Sequence, residues 1–482
     1  MTRRMFLEGL LASAGLSGCS ATRGFREPPR LTFGVVSDLH VSTPASTGMF
    51  RRALRYFRSH GADAVIVAGD LSDWGLLSGL KEVKRAWDDE MAGSSAVPLF
   101  ITGNHDYDGW WYGDMTLDMH VQGYSENEAL ERLGMAKCWK ETFGEEFSPI
   151  RRRRARGFDF ISAEWYDVAQ PGSDDPVIAW LKAHPELADA DRPFFFFRHD
   201  PLPGTVSSSI GRPGSQALTE ALSAFPNCIA FNGHTHWPLT DERSIWQGGF
   251  TAISVPSLSY TSLAKGYENG KDVRDGTSHR DMEPLPARAN LEEAEGYLVR
   301  VYGDSLEVER RDFTLGIEAA GPWVVPCGCG APRPFAPEAH AAAVPVPQFA
   351  ADSELRTYVT NCDGGTRDGH WTIFMTLEFP SASGTAGRAF DYEIRAVSEV
   401  DGRTLVAKRY LSPAYYKPLC CEPEFQRFRF NAMDLPETGR YRLVVVPRNC
   451  FGAEGRPLRS EVMESKPGRT RARRSDGAWH AA

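Results

Sequence analysis

No run in the body of this 482-residue chain is long and apolar enough to cross a bilayer as a helix. That argues against a polytopic helical membrane protein. Excess positive charge is missing too. The 54 Lys and Arg stand against 63 Asp and Glu, a formal net charge of −9. A surface of that balance is not built for broad nucleic-acid binding, so no nucleic-acid partner is expected. Zinc-type cysteine spacing is also absent: of nine cysteines, Cys327-Gly-Cys329 and Cys420-Cys421 match no such pattern. What remains is an ordinary globular composition, 42% hydrophobic and 24% charged, at a length that predicts two or three domains.

Five short motifs hold metal-ligand side chains in one order: Asp38-Leu39-His40, Gly69-Asp70-Leu71-Ser72-Asp73, Gly103-Asn104-His105-Asp106, His199, and Gly233-His234-Thr235-His236. Each follows an apolar run, as Leu31 to Val36 precedes Asp38 and Ala64 to Ala68 precedes Asp70. Short apolar runs bounded by glycine and polar residues read as buried strands. Helical patterns lie between them, at Met49 to His60 and Gly79 to Met91. This alternation predicts an α/β fold whose ligands bind beyond the carboxyl ends of the strands. A lone His or Asp at a strand end is more often a satisfied polar residue than a ligand. The ordered set gives these their meaning.

The set resembles the signature of the calcineurin-like metallophosphoesterases over residues 31–315. The resemblance implies a four-layer α/β sandwich of two central mixed sheets flanked by helices. It also implies two divalent metal ions, with Mn, Fe, Zn and Co all compatible with these donors. Asp38, His40 and His236 would hold one. Asn104, His199 and His234 would hold the other, and Asp70 would bridge them. Two such ions clamp a phosphoryl group and activate a bridging hydroxide. His105 would act at the leaving oxygen, oriented by Asp73. The substrate class implied is a small-molecule phosphoester, diester or monoester. Trp74 and the Gly-Asn-His-Asp ending depart from the protein Ser/Thr phosphatases and lie closer to bacterial phosphodiesterases. The alternative is a catalytically silent binding protein on the same scaffold; it would have lost ligands that this chain keeps.

Specificity residues are harder to read. Arg198 either helps bind an anionic substrate or serves a supporting or surface role. Trp110 and Trp111 are candidates for stacking on substrate, although aromatic side chains near such a site often only pack. The run Arg151 to Arg154 reads either as an anion site or as a charged edge strand, and the edge strand is the plainer account. The stretch 108–156 and the loop 263–289 are candidate rims.

The two ends carry other signals. Thr2-Arg3-Arg4-Met5-Phe6-Leu7 resembles a twin-arginine export signal, and Leu16-Ser17-Gly18-Cys19 a bacterial lipobox with Cys19 lipidated. The expectation over residues 1–19 is therefore an exported envelope lipoprotein, bound to membrane by its lipid alone. Residues 316–348, with seven prolines from Pro322 to Pro347, read as a Pro/Ala-rich linker. Over 349–465, six alternating runs predict an all-β sandwich resembling fibronectin type III, a possible envelope contact. The basic tail 466–482 reads as disordered.

Overall fold

The computed structural model describes residues 27–110, 134–165, 172–188, 192–210, 216–262, 264, 266–269, 290–291, 293–328, 330–362, 372–382, 388–415, 423–431, 434–436, 438–465, 472–473 and 479–480. The export signal with Cys19, residues 111–133 of the first candidate rim with Trp111, most of the second rim and Cys420-Cys421 lie outside the described residues.

The first sheet is built from β1 (Leu31–Val36), β2 (Ala64–Ala68) and β3 (Val97–Ile101), which run parallel. A second sheet follows in sequence: β4 (Ile150–Ala155), β5 (Phe158–Ala163), β6 (Phe194–Arg198), β7 (Cys228–Asn232), β8 (Ile245–Gln247) and β9 (Thr251–Ser254), in the order β4-β5-β6-β7-β9-β8. A short ribbon joins β10 (Thr261–Ser262) to β11 (Asn290–Leu291). The chain then returns to the first sheet through β12 (Glu295–Val301), β13 (Ser305–Asp312) and β14 (Ile317–Pro326), giving the order β14-β13-β12-β1-β2-β3. Both sheets are mixed, because β12 meets β1 and β4 meets β5 antiparallel.

Side-chain alternation explains the layering. Leu31, Phe33 and Val35 of β1 face a core shared with Phe195 and Phe197 of β6 and Ile229 and Phe231 of β7. Val36 of β1 and Val65 and Val67 of β2 join a second core, under helices α1 (Gly48–Ser59) and α2 (Leu77–Glu90). Phe194 and Phe196 of β6 join a third, against Val177, Leu181, Leu218 and Leu222. Period-two burial on both faces is what a strand between two layers requires. The result is helix, sheet, sheet, helix, as the sequence implied.

The domain boundary needs correction. Strand β14 occupies ten residues of the stretch read as linker, and a helix spans Pro337–Ala343. Pro322 is tolerated because β14 is an edge strand, and the register with β13 slips between Arg310–Ala320 and Val308–Trp323, so a bulge absorbs it. The basic run Arg151 to Arg154 lies on edge strand β4. Arg151 pairs with Glu164, Arg152 and Arg154 with Asp159, and Arg153 with Glu145, so its charge is neutralised within the fold.

The six predicted C-terminal runs are all strands. One sheet holds β15 (Arg356–Cys362), β16 (Thr372–Pro380) and β19 (Phe425–Asn431). The other holds β17 (Asp391–Ser398), β18 (Thr404–Leu411), β20 (Gly439–Arg448), β21 (Leu458–Arg459) and β22 (Met463–Ser465). Leu377, Phe379 and Phe428 from the first pack on Tyr392, Ile394 and Val445 from the second, which makes a sandwich. In the tail expected to be disordered, Ala472–Arg473 pairs with Trp479–His480.

Phe33 is fully buried and its ring meets Phe160, Phe195 and Phe231. Phe33→Ala is expected to lower stability by about 3–5 kcal/mol, read from urea unfolding.

Candidate metal centre

The motif residues converge where β1, β2, β3, β6 and β7 end. The backbone there is unusual. Among the described residues, six that are not glycine have positive φ, and five of them are Asp38, His40, Asp70, His234 and His236. Such angles cost of order 1–3 kcal/mol each and persist only where surrounding contacts fix them. A β-carbon on Gly103 would collide with Asp70, and one on Gly69, at φ +98°, with the His199 ring. Glycine is required at both because the ligand side chains pack directly on the main chain.

Three donor clusters form among the described residues, and Asp70 belongs to two of them. Asp38, His40, Asp70 and His236 make the first; Asp70, His199 and His234 make the second; the third is His40, Asp73 and His105. In the first, His236 Nε2 lies 3.1 Å from Asp38 Oδ1 and 3.2 Å from His40 Nε2. In the second, His199 Nε2 is 3.2 Å from Asp70 Oδ2 and 3.1 Å from Asn104 Oδ1, while His234 Nδ1 is 2.8 Å from Asn104 Oδ1.

The tautomers follow from the partners. His236 Nδ1 lies 3.1 Å from the Tyr260 carbonyl, and His199 Nδ1 lies 2.8 Å from the Ala68 carbonyl. A carbonyl only accepts, so both Nδ1 atoms are donors. In the neutral rings each Nε2 then turns a lone pair toward a carboxylate oxygen. Only a proton or a cation between them relieves that contact, so these residues fit divalent metal ions.

Charge agrees with this. Burial works against both carboxylates, yet the facing imidazoles hold Asp38 low and Asp70 well below the usual range. Burial alone would depress His40 and His199. Against it, the Asp73 hydrogen bond and the Asp70 and Asp38 charges raise His40 to about 9, and Asp70 raises His199 to about 10. Burial does win at His236, which is held low.

The calcineurin-like phosphoesterase family profile matches residues 31–238. These residues are a calcineurin-like phosphoesterase domain. The comparison with curated proteins gives no match. Solved structures give distant likenesses. GAP50, the anchor in the inner membrane complex of Plasmodium, is 11% identical, covers 62% of this chain and 89% of its own, and has a TM-score of 0.35. Purple acid phosphatase PPD1 from yellow lupin seeds is 13% identical, with 61% and 53% covered and a TM-score of 0.38. A predicted phosphoesterase from Streptococcus pneumoniae is 12% identical, with 61% and 97% covered and a TM-score of 0.27. These are too distant to bear on chemistry.

Asp73 sits differently from expectation, and Arg198 follows the supporting one of its two readings. Asp73 Oδ1 is 2.9 Å from His40 Nδ1 but 3.6 Å from His105 Nδ1. Its carboxylate orients the candidate ligand His40 first. The His105 ring instead donates from Nδ1 to the Asp73 backbone carbonyl at 3.0 Å. Arg198 is buried and donates to Asp174 at 2.8 Å, an ion pair within the fold rather than a substrate contact. Trp110 closes the turn Asn104–Trp110 that carries His105.

Sequence reasoning passed over Asp106 and Tyr260. The buried Asp106 carboxylate accepts from the backbone of Leu71, Ser72 and Gly103, tying the second motif to the third. Burial and the Asp70 charge push it up to about 7 against those amides. Its place in Gly-Asn-His-Asp was the available signal. The Tyr260 ring stacks on His40 and lies 4.1 Å from that of His236. No motif marks it.

Because His40 and His199 are shifted upward, both carry protons at pH 7 in the metal-free site and must lose them to bind metal. Calorimetric titration with Mn²⁺ at pH 7 is expected to release about two protons per chain, and affinity to rise with pH toward 9. Heats that do not change with the buffer's ionisation enthalpy would contradict this.

Proposed function

We propose that the chain is a two-metal phosphoester hydrolase with a modest preference for diesters. The observation that carries this is Asp70, one carboxylate common to two donor clusters. A bridging carboxylate is what a paired site needs. When bound, two divalent ions neutralise charge on the phosphoryl oxygens and acidify the attacking water. The protein does the rest. Asp38, His40 and His236 would hold one ion, and Asn104, His199 and His234 the other. The His105 backbone N–H donates to Asp70 Oδ1 at 2.9 Å, so the ring is fixed relative to the bridge. With Nδ1 committed to the Asp73 carbonyl, Nε2 is the nitrogen that delivers a proton to the leaving oxygen. As the oxygen of water joins phosphorus it gives up a proton to solvent, the bond from phosphorus to the leaving oxygen breaks, and that oxygen takes the proton from His105 Nε2.

The diester preference is supported by the pairing of Arg198 with Asp174. That pairing removes one cation that would favour the extra charge of a monoester. We place the enzyme outside the cytoplasm, tethered by lipid on Cys19. The run Thr2 to Leu7 and the Leu16-Ser17-Gly18-Cys19 box support this. The substrate is then a small phosphoester of the envelope or its surroundings, such as a nucleotide or sugar phosphate. Contact of the sandwich with envelope material belongs to the same reading.

Soluble chain from Ser20, loaded with Mn²⁺, is expected to hydrolyse bis-p-nitrophenyl phosphate faster than p-nitrophenyl phosphate. His105→Ala should lose about 10²–10⁴-fold in kcat with metal still bound. Asp70→Asn should lose activity and the second metal together. Faster monoester hydrolysis would overturn the diester preference, and full activity in Asp70→Asn the two-metal reading.

A further inference from the structure

We propose that the C-terminal sandwich is a working part of the metal site: it holds His236 by two routes, with Asn269 as a positioning residue. This rests on the two-metal reading above.

The first hold joins residues 260–262, at His236, to residues 264 and 266–269, where Ala264 and Tyr267 pack with Phe390, Leu411 and Tyr415. The buried Asn269 exchanges two hydrogen bonds with the backbone of Leu411 on β18. Its Nδ2 donates to the Leu411 carbonyl at 3.0 Å, and its Oδ1 accepts from the Leu411 N–H at 2.7 Å. One residue earlier, the Glu268 N–H donates to the Arg409 carbonyl at 2.8 Å, and Lys408 reaches the Glu268 carboxylate at 3.4 Å. Strand β18 is the edge of its sheet, so Glu268 and Asn269 satisfy backbone groups that would otherwise stand open. Residues 260 and 262 reach the metal ligands. The Tyr260 carbonyl fixes His236 Nδ1, and the Ser262 N–H donates to the His236 carbonyl at 2.9 Å.

The second hold follows His236 forward in the chain. The Trp237 ring meets that of Tyr415 edge-on at 6.0 Å, and the Thr240 hydroxyl donates to the Tyr415 carbonyl. Asp241 accepts from Trp237 Nε1 at 2.8 Å and from Arg243, whose guanidinium lies 4.4 Å over the Phe390 ring. Tyr415 and Phe390 belong to the sandwich. A passive spacer has no reason to bracket one candidate ligand. Here the residues that hydrogen-bond His236 and the residues that follow it in the chain are both anchored to the second domain, and His236 Nε2 must stay aimed at the first metal position.

The test uses the full soluble chain and Mn²⁺ titration followed by calorimetry and electron paramagnetic resonance. Asn269→Leu removes both hydrogen bonds to Leu411. It is expected to weaken one of the two Mn²⁺ equivalents by about 10–100-fold and leave the other unchanged. Asn269→Asp keeps the acceptor for the Leu411 N–H and should fall between. Val445→Ala, deep in the sandwich core, should lower Tm with both affinities intact. The proposal is overturned if Asn269→Leu behaves like Val445→Ala. Should Asn269→Leu not fold, Asn269→Asp against Val445→Ala decides in the same way. Wild-type protein that binds no Mn²⁺ would overturn the two-metal reading, and this inference with it.

Discussion

Burying an ionised carboxylate costs several kcal/mol unless opposite charge comes with it, and the site is organised around that requirement at Asp70. Its carboxylate is buried between His40 and His199, both shifted toward their protonated forms, and it also accepts from the His105 backbone. The upward shifts of His40 and His199 offset that negative charge, while His236 is held low. Divalent cations bound as proposed would supply the same positive charge. The strained turns at Asp38, His40, Asp70, His234 and His236 follow from the same demand, since side chains from several strand ends must reach one point.

The layered fold supplies the rigidity to hold such strain. Phenylalanines of β1, β5, β6 and β7 interlock between the sheets, and the strands that carry the motifs are buried on both faces. Asp106 then ties two motif loops together through three backbone amides. Donors placed on strand ends and locked by a second set of hydrogen bonds are preorganised for charge that develops during phosphoryl transfer.

The strands and the donors were legible because both are local signals. An apolar run ending in glycine and a polar ligand marks a strand end whatever the rest of the chain does, and Asp38, Asp70 and Asn104 are of this kind. Partners were not legible, because they are set by distance in space. Asp73 is separated by 33 residues from His40 and by 32 from His105, so spacing cannot choose between them. Arg198 finds Asp174 across 24 residues. Strand β14 was hidden by its prolines, which an edge strand with a bulge tolerates. Tyr260 and Asn269 carry no motif: Tyr260 meets His40 and His236 only in the folded chain, and Asn269 meets Leu411 only once the second domain is in place.

The most direct test of the central claim is anomalous diffraction from crystals grown with Mn²⁺. Two peaks per chain, about 3.5–4 Å apart and both within bonding distance of Asp70, are predicted. A single peak, or two that do not share Asp70, would contradict it.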